Sequence, residues 1–292
     1  MSRILNYIRA LSPVTFLSSI LSAIIGASVT YYVYHSLSME KLLLIIMFLI
    51  LIHSGINLYN DYRDYITGVD VEYRKKHVLH RLNMIIDLGV RPTVVRNMSL
   101  ILTIASAIVG SLLLINMSIL PALVLVFLGL VIGLGYSAPK IRLRYRGIGE
   151  IMAGLATGPL IACGSFIVLS DSLNMIGILL SLFTGLCNGL FTTIILIKIA
   201  LARYDVDKIV GKKTLPVVIG RDRAIKLNYV LTCIIYIVPV ALYALGTLSW
   251  ISLLSLLTLP LTLKYLRGGK PFNLFLSRVL VSIFICLGLL FH

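Results

Sequence analysis

The sequence predicts an all-α integral membrane protein with nine transmembrane helices in a single polytopic domain over residues 1–292. Three observations carry that expectation. The chain of 292 residues is 59% hydrophobic and 13% charged, whereas a soluble domain runs near roughly 45–50% and about 25%, so a soluble globular enzyme is excluded. Its apolar runs repeatedly reach the roughly 20 residues that a helix needs to cross the hydrocarbon slab. They also lack period-2 alternation, and an open sheet in lipid would leave its edge groups unsatisfied.

The spans follow in order. The first, 13–34, opens at Pro13 behind a mildly basic stretch and lacks a small-residue cleavage site, so it reads as an uncleaved helix and not as a leader. The next five are 41–60, 94–114, 116–137, 148–169 and 175–199, each a continuous apolar run between polar connections. The last three, 228–246, 249–266 and 272–290, are delimited or interrupted by Gly246, Pro260 and Gly268–Gly269. Cys163, Cys187, Cys233 and Cys286 all lie within these runs with no CxxC spacing, which predicts small buried side chains and neither a disulfide framework nor a zinc site.

The connections fall into two classes. Those after odd-numbered spans are short and carry little beyond Glu40, Lys41 and Asp171. Those after even-numbered spans are basic, as with Arg74-Lys75-Lys76 and Arg81, with Lys140, Arg142, Arg144 and Arg146, and with Lys208, Lys212 and Lys213. The preference for cytoplasmic Lys and Arg therefore predicts a multi-pass protein of the cell membrane, with its N-terminus and even connections in the cytoplasm and its C-terminus outside. It also accounts for most of the net charge of +15, so no nucleic-acid partner follows, and no nucleic-acid-binding motif is present.

Topology alone does not require carboxylates on the basic side. Yet Asp61, Asp64, Asp70, Glu72, Asp87, Glu150, Asp205, Asp207 and Asp222 lie on or beside it. Charges of both signs at one membrane face suit a site that holds a divalent metal together with a polyanion. On a helix Asn57, Asp61 and Asp64 fall at about 0°, 40° and −20°, one narrow face. Gly68 is placed to end that helix and let Asp70 turn back. Such oxygen ligands suit Mg²⁺, which completes its shell with water and phosphate. The competing reading is a solvated helix end paired with Arg63 and Arg74; Asn57, at membrane depth, argues against it. His53 on the same face reads as a packed or hydrogen-bonded histidine.

The motif Asn57-x-x-Asn60-Asp61-x-x-Asp64-x-x-x-Gly68-x-Asp70 resembles the first aspartate-rich motif of the UbiA superfamily of intramembrane prenyltransferases. Its Gly-Val-Asp ending is most similar to the 1,4-dihydroxy-2-naphthoate polyprenyltransferase branch, which makes menaquinone precursors. Gly135-Tyr136-Ser137-Ala138-Pro139, Arg142 to Glu150, and Gly211-Lys212-Lys213-Thr214-Leu215-Pro216 resemble further signatures of that branch. The resemblance implies Mg²⁺-dependent transfer of a prenyl group from a polyprenyl diphosphate to an aromatic acceptor, beside membrane lipid. It implies Asn57, Asp61, Asp64, Asp70 and Asp207 as metal-site residues and Asp61, Asp64, Tyr136 and Asp207 as catalytic ones. Diphosphate contacts would come from Arg81, Lys140, Arg146, Arg203 and Lys212. Residues 61–93, 138–147 and 200–227 would form a cap over the site.

Departures keep other readings open. The second motif of the family is Asp-x-x-x-Asp, and here Arg203 stands in its first place with Asp207 in its second. Arg203 and Asp207 could form an i,i+4 ion pair. Arg203 could replace one metal ion, since guanidinium grips phosphate bidentately. Or the chain could be an attenuated or non-catalytic homologue that binds isoprenoid lipid. Asp205 lies about 200° from Asp207 on a helix and cannot share its ion. Lys140 replaces a usual second Pro. Prenyl transfer to a glycerol phosphate ether-lipid precursor is an alternative that the Gly68-Val-Asp70 ending disfavours. A transporter is disfavoured because the carboxylates cluster at one face and no inverted repeat is visible.

Overall fold

Polar turns reverse the chain at the end of each long apolar run, and the result is an up-and-down bundle with both acidic segments at the same end. The structure, a computed structural model, describes residues 3–78, 82–115, 117–124, 127 and 146–292. Among these there is no strand, and one isolated parallel bridge joins Arg146 to Lys213.

A short helix α1 (Arg3–Ala10) and a 3-10 turn over Pro13–Thr15 lead into α2 (Phe16–Tyr34). Helix α3 (Met39–Ile66) starts at Ser38, whose hydroxyl accepts from the Lys41 amide at 3.3 Å. It runs past the anticipated boundary at residue 60, so Asp61 and Asp64 are helical. Gly68, at φ 77°, supplies the left-handed turn before α4 (Val69–Lys75), as its position predicts. Helix α5 (Pro92–Leu114) follows. It turns Leu100, Ile101, Ile104, Ile108 and Leu112 outward, the expected surface of a lipid-facing helix.

The expected fourth span, 116–137, lies largely outside the described residues, within which 119–124 are helical. Helix α6 (Gly149–Ser170) contains a π-turn over Ala156–Leu160 that accommodates Pro159. Helix α7 (Met175–Ala202), capped by Asn174, packs tightly on that turn. A Cβ on Gly158 would lie 2.4 Å from the Gly189 Cα, so only glycine fits there. Short helices α8 (Tyr204–Ile209) and α9 (Leu215–Ile219) precede α10 (Arg221–Ala244). Then a 3-10 run, Trp250–Thr258, continues into α11 (Leu259–Leu266), and α12 (Pro271–Leu290) closes the bundle.

Seven helices among the described residues are long and apolar enough to cross a membrane: α2, α3, α5, α6, α7, α10 and α12. The expected eighth span is shorter, Trp250–Leu266. Its 3-10 half rises about 2.0 Å per residue, so the segment reaches about 30 Å, the thickness of the hydrocarbon core. Cys163, Cys187 and Cys286 are buried and free, as anticipated. Cys233 corrects the expectation, because it lies on the outward face of α10 and is exposed.

Inside the bundle, Arg278 of α12 is buried and donates to the Asn188 carboxamide oxygen, to the Asn188 carbonyl at 3.2 Å and to Thr192 Oγ1 at 2.7 Å. Asn188 Nδ2 donates in turn to Ser22 Oγ and the Ser18 carbonyl, both at 2.6 Å. These bonds tie α2, α7 and α12 together where lipid offers no competing partner. His53 is hydrogen-bonded to Ser19 at 2.9 Å, the packed role expected of it.

Candidate active site

The four candidate metal-site carboxylates are all withdrawn from solvent: Asp61 is 0% exposed, Asp64 4%, Asp70 2% and Asp207 0%. Charged groups this buried are rare unless cations or dipoles compensate them. Two come from the end of α3, one from α4 and one from α8, so three segments distant in sequence or separated by turns meet at one end of the bundle.

Tyr73 is the link between the two acidic segments. Its hydroxyl donates a short hydrogen bond to Asp207 Oδ1, across 134 residues of sequence. Thr214 Oγ1 donates to Asp207 Oδ2 at 3.1 Å, so both oxygens of this carboxylate are oriented. Burial pushes the Asp207 carboxyl above its ordinary value, against the Tyr73 hydrogen bond and the Lys212 charge, which pull it down. The Tyr73 phenol is raised by burial first and then by the neighbouring Asp207 charge, which keeps it a proton donor.

Two cations flank the same ring. The Arg203 guanidinium lies 4.6 Å from the Tyr73 centroid and the Lys212 ammonium 5.3 Å from it. Lys212 is itself buried and pairs with Asp64 at 3.4 Å, so it joins the α3 carboxylate to the segment after α8. Arg203 sits at the junction of α7 and α8, with φ −105°, and its Nε donates to the Val78 carbonyl at 3.3 Å. Among the described residues no Arg203–Asp207 ion pair forms: the i,i+4 backbone bond from the Asp207 amide to the Arg203 carbonyl is kept at 2.8 Å, and the Arg203 side chain turns instead toward Tyr73. Asp205 points away and pairs with Arg221 at 3.3 Å on the surface, consistent with its expected opposition to Asp207.

The remaining expected residues divide. Asn57 Nδ2 donates to the Leu11 carbonyl at 3.2 Å and Thr15 Oγ1 at 3.0 Å, which anchors the N-terminal turn to α3. Asp70 Oδ2 accepts from Asn83 Nδ2 at 2.9 Å. Arg146 is exposed, with its backbone bridged to Lys213 next to Lys212. Tyr136, Lys140 and Arg81 lie outside the described residues.

Three residues that sequence reasoning did not single out hold this end together. They are Tyr73, Asn83 and Thr214. Fully buried Asn83 binds Asp70 and accepts from the Ile85 and Ile86 amides, while Asp87 accepts from Arg74 and from the Asn83 amide. Residues 82–90 thereby fold back over α3 and α4, packing Met84 and Ile85 against Leu58 and Val95. Their only sequence signal is an Asn and an Asp in an apolar stretch. Glu150, noted for its charge, accepts from the Leu215 amide at 3.2 Å and fixes α9 against α6.

The donor set is one of hard oxygens, the chemistry that suits Mg²⁺. Among the described residues no three His, Cys, Asp or Glu side chains converge into a closed cage. A cation held by one or two carboxylates that shares its shell with phosphate oxygens needs no such cage, and the flanking Lys212 and Arg203 suit the phosphate.

A membrane bundle whose paired acidic segments meet beside a buried lysine and a half-buried arginine defines a class. Residues 19–269 match the UbiA prenyltransferase family, and the chain belongs to that family. Among its relatives, it is 26% identical over 269 residues to the 2-carboxy-1,4-naphthoquinone phytyltransferase of Synechocystis sp., covering 89% of this chain and 81% of that protein. It is 23% identical to the 1,4-dihydroxy-2-naphthoate octaprenyltransferase of Bacillus subtilis, covering 88% and 79%. In fold it resembles a UbiA homologue from Aeropyrum pernix K1 with a TM-score of 0.69 at 17% identity, over 94% and 96% of the two chains. A homologue from Archaeoglobus fulgidus, solved with DMAPP and Mg²⁺, aligns at a TM-score of 0.66 and 19% identity, over 98% and 99%.

Proposed function

We propose that this chain catalyses Mg²⁺-dependent transfer of a prenyl group from a polyprenyl diphosphate to an aromatic quinone precursor, 1,4-dihydroxy-2-naphthoate or a close analogue, within the membrane. The observation that carries this reading is the junction of Asp64 with Lys212 and of Tyr73 with Asp207, which brings both acidic segments and two cations to one buried end. The named functions of the Synechocystis and Bacillus relatives support the aromatic acceptor, and the Mg²⁺ and DMAPP of the Archaeoglobus structure support the donor.

In this proposal Asp61 and Asp64 hold the metal, with the Asn57 carbonyl oxygen and Asp70 in support, and Asp207 acts from the far side. Bound Mg²⁺ would supply charge stabilisation to the departing diphosphate. Lys212 and Arg203 add fixed positive charge there, and Tyr73 and Thr214 keep Asp207 oriented. Tyr136 would face the diphosphate or the allylic carbon. The apolar bundle shelters that carbon from water, and membrane lipid accommodates the chain's tail. The acidic end and the N-terminus would face the cytoplasm of a cell-membrane protein, in keeping with the basic connections.

A second reading, an attenuated homologue that binds isoprenoid lipid, is favoured by one observation: Arg203 stands in a place where an aspartate is expected and is engaged with Tyr73 and Val78. One assay separates the two. Purified protein is incubated with Mg²⁺, labelled geranylgeranyl diphosphate and a panel of naphthoate, benzoate and glycerol phosphate acceptors. The transferase reading predicts a prenylated aromatic product; absence of any product from folded protein supports the second reading. Arg203→Asp should shift the Mg²⁺ concentration for half-maximal rate, and an unchanged value would show that Arg203 does not stand in for an ion.

A further inference from the structure

Below the acidic end, the interior of the bundle holds a charge that the carboxylate site does not use. Arg278 lies seven residues into α12, about 10 Å from its first residue, and is 5% exposed. Every group that it touches is neutral: its Nε and Nη2 donate to the side-chain and backbone oxygens of Asn188 and to Thr192 Oγ1. Among the described residues no carboxylate pairs with it. Neutral oxygens solvate a guanidinium but leave its charge unbalanced, and unbalanced charge inside a membrane protein is costly and marks a functional site. A tie between α7 and α12 needs only a neutral donor, so packing accounts for the bonds and not for the charge.

The guanidinium also has capacity left. Nη1 takes no partner among the described residues and is not one of the fully sealed atoms without one, so it keeps accessible surface. His53 of α3 lies within range of the Arg278 charge. It is half-buried; one ring nitrogen is bonded to Ser19 at 2.9 Å, and the other has no partner among the described residues. Phe16 packs beside it, with ring centroids 6.0 Å apart. A cation with spare donors, a histidine and a phenylalanine therefore gather between α2, α3 and α12. His53 precedes Asp61 by eight residues on α3 and lies about 12 Å deeper. A diphosphate held at Asp61 and Asp64 does not span that distance, whereas an acceptor placed beside the allylic carbon would lie at that depth.

We propose that Arg278, with His53 beside it, is the anion site that recognises the acidic group of an aromatic acceptor, the carboxylate of a hydroxynaphthoate. This rests on the transferase reading above and adds to it the group that selects the acceptor. Nη1 would bond the carboxylate, and the rings of Phe16 and His53 would line the acceptor's aromatic face. An apolar pocket alone discriminates weakly, but a buried charged donor left unpaired rejects a ligand that lacks the acid.

The test is equilibrium binding of 1-hydroxy-2-naphthoate, its carboxamide and 1-naphthol to the full-length protein in detergent, with no prenyl donor present. The acid should bind about tenfold or more tighter than either neutral compound, the scale of one charge-assisted hydrogen bond. Arg278→Gln should remove that preference, and Mg²⁺ with inorganic diphosphate should not displace the acid. Equal binding of the three compounds by the unaltered protein would overturn the proposal, as would displacement by diphosphate, which would put the acid at the donor site. Both measurements use unaltered protein, so they decide the matter even where the Gln variant does not purify as a monodisperse species. A folded variant that keeps the preference would also overturn it. Product formation with geranylgeranyl diphosphate is read separately. Acid-selective binding without product contradicts the transferase reading alone, and product without acid-selective binding contradicts this proposal alone.

Discussion

Tyr73 shows how much one side chain can connect. Its hydroxyl holds Asp207, and its ring lies beneath Arg203 and near Lys212, so it couples charges from two distant segments. Tyr73→Phe keeps the ring and removes the donor. It should leave the protein folded and raise the Mg²⁺ needed for half-maximal turnover about tenfold, the usual cost of losing a group that orients a metal-site carboxylate; an unchanged Mg²⁺ requirement would mean that Asp207 is positioned without it. Asp61 and Asp64 were legible in the sequence because helical spacing puts them on one face with Asn57, and Asp207 through its place in a motif that resembles the family's second one. Tyr73 and Asn83 were not. Their roles depend on contacts with segments that fold back from elsewhere, and no periodicity in 69–90 announces a partner 134 residues away. Arg278 did carry a signal, a lone charge in an apolar run, and its partners Asn188 and Thr192 explain how that charge is tolerated.

At the scale of elements, glycine and proline determine how closely the helices approach. Gly158 in the π-turn of α6 faces Gly189 of α7 so closely that an added Cβ would lie 2.4 Å from its Cα. Gly158→Ala should therefore force α6 and α7 apart and lower stability by about 1–3 kcal/mol, the usual cost of overpacking a filled interface. Thermal unfolding in detergent would register this as a lower midpoint, and an unaltered midpoint would show that the contact is compliant. The long helices were legible from hydropathy and the turn at Gly68 from its residue type. The 3-10 run at Trp250–Thr258 was not, since its apolar composition would serve an α-helix equally. The break at Arg203 was also hidden, because nothing at residues 200–204 is a helix breaker, and it is the turn of the Arg203 side chain onto Tyr73 that sets aside the i,i+4 pair.

For the whole molecule, the net charge of +15 has two components. Most of it lies, in the sequence, in the connections after even-numbered spans, and among the described residues a smaller part, Lys212 and Arg203, lies beside the buried Asp64 and Asp207. The fold is common to homologues sharing below 20% identity, which means that apolar periodicity and close helix packing specify it with few fixed residues. The buried acidic end is where particular side chains matter, and the central claim is that it activates a prenyl diphosphate through Mg²⁺. The most direct measurement is diphosphate release from geranylgeranyl diphosphate with 1,4-dihydroxy-2-naphthoate present, compared between the unaltered protein and Asp61→Asn, with and without a chelator. The proposal predicts release that the chelator abolishes and that falls by about 10²–10³-fold in Asp61→Asn, the scale of losing electrostatic stabilisation of a leaving charge. Release at the same rate in the variant, or release indifferent to the chelator, would contradict it.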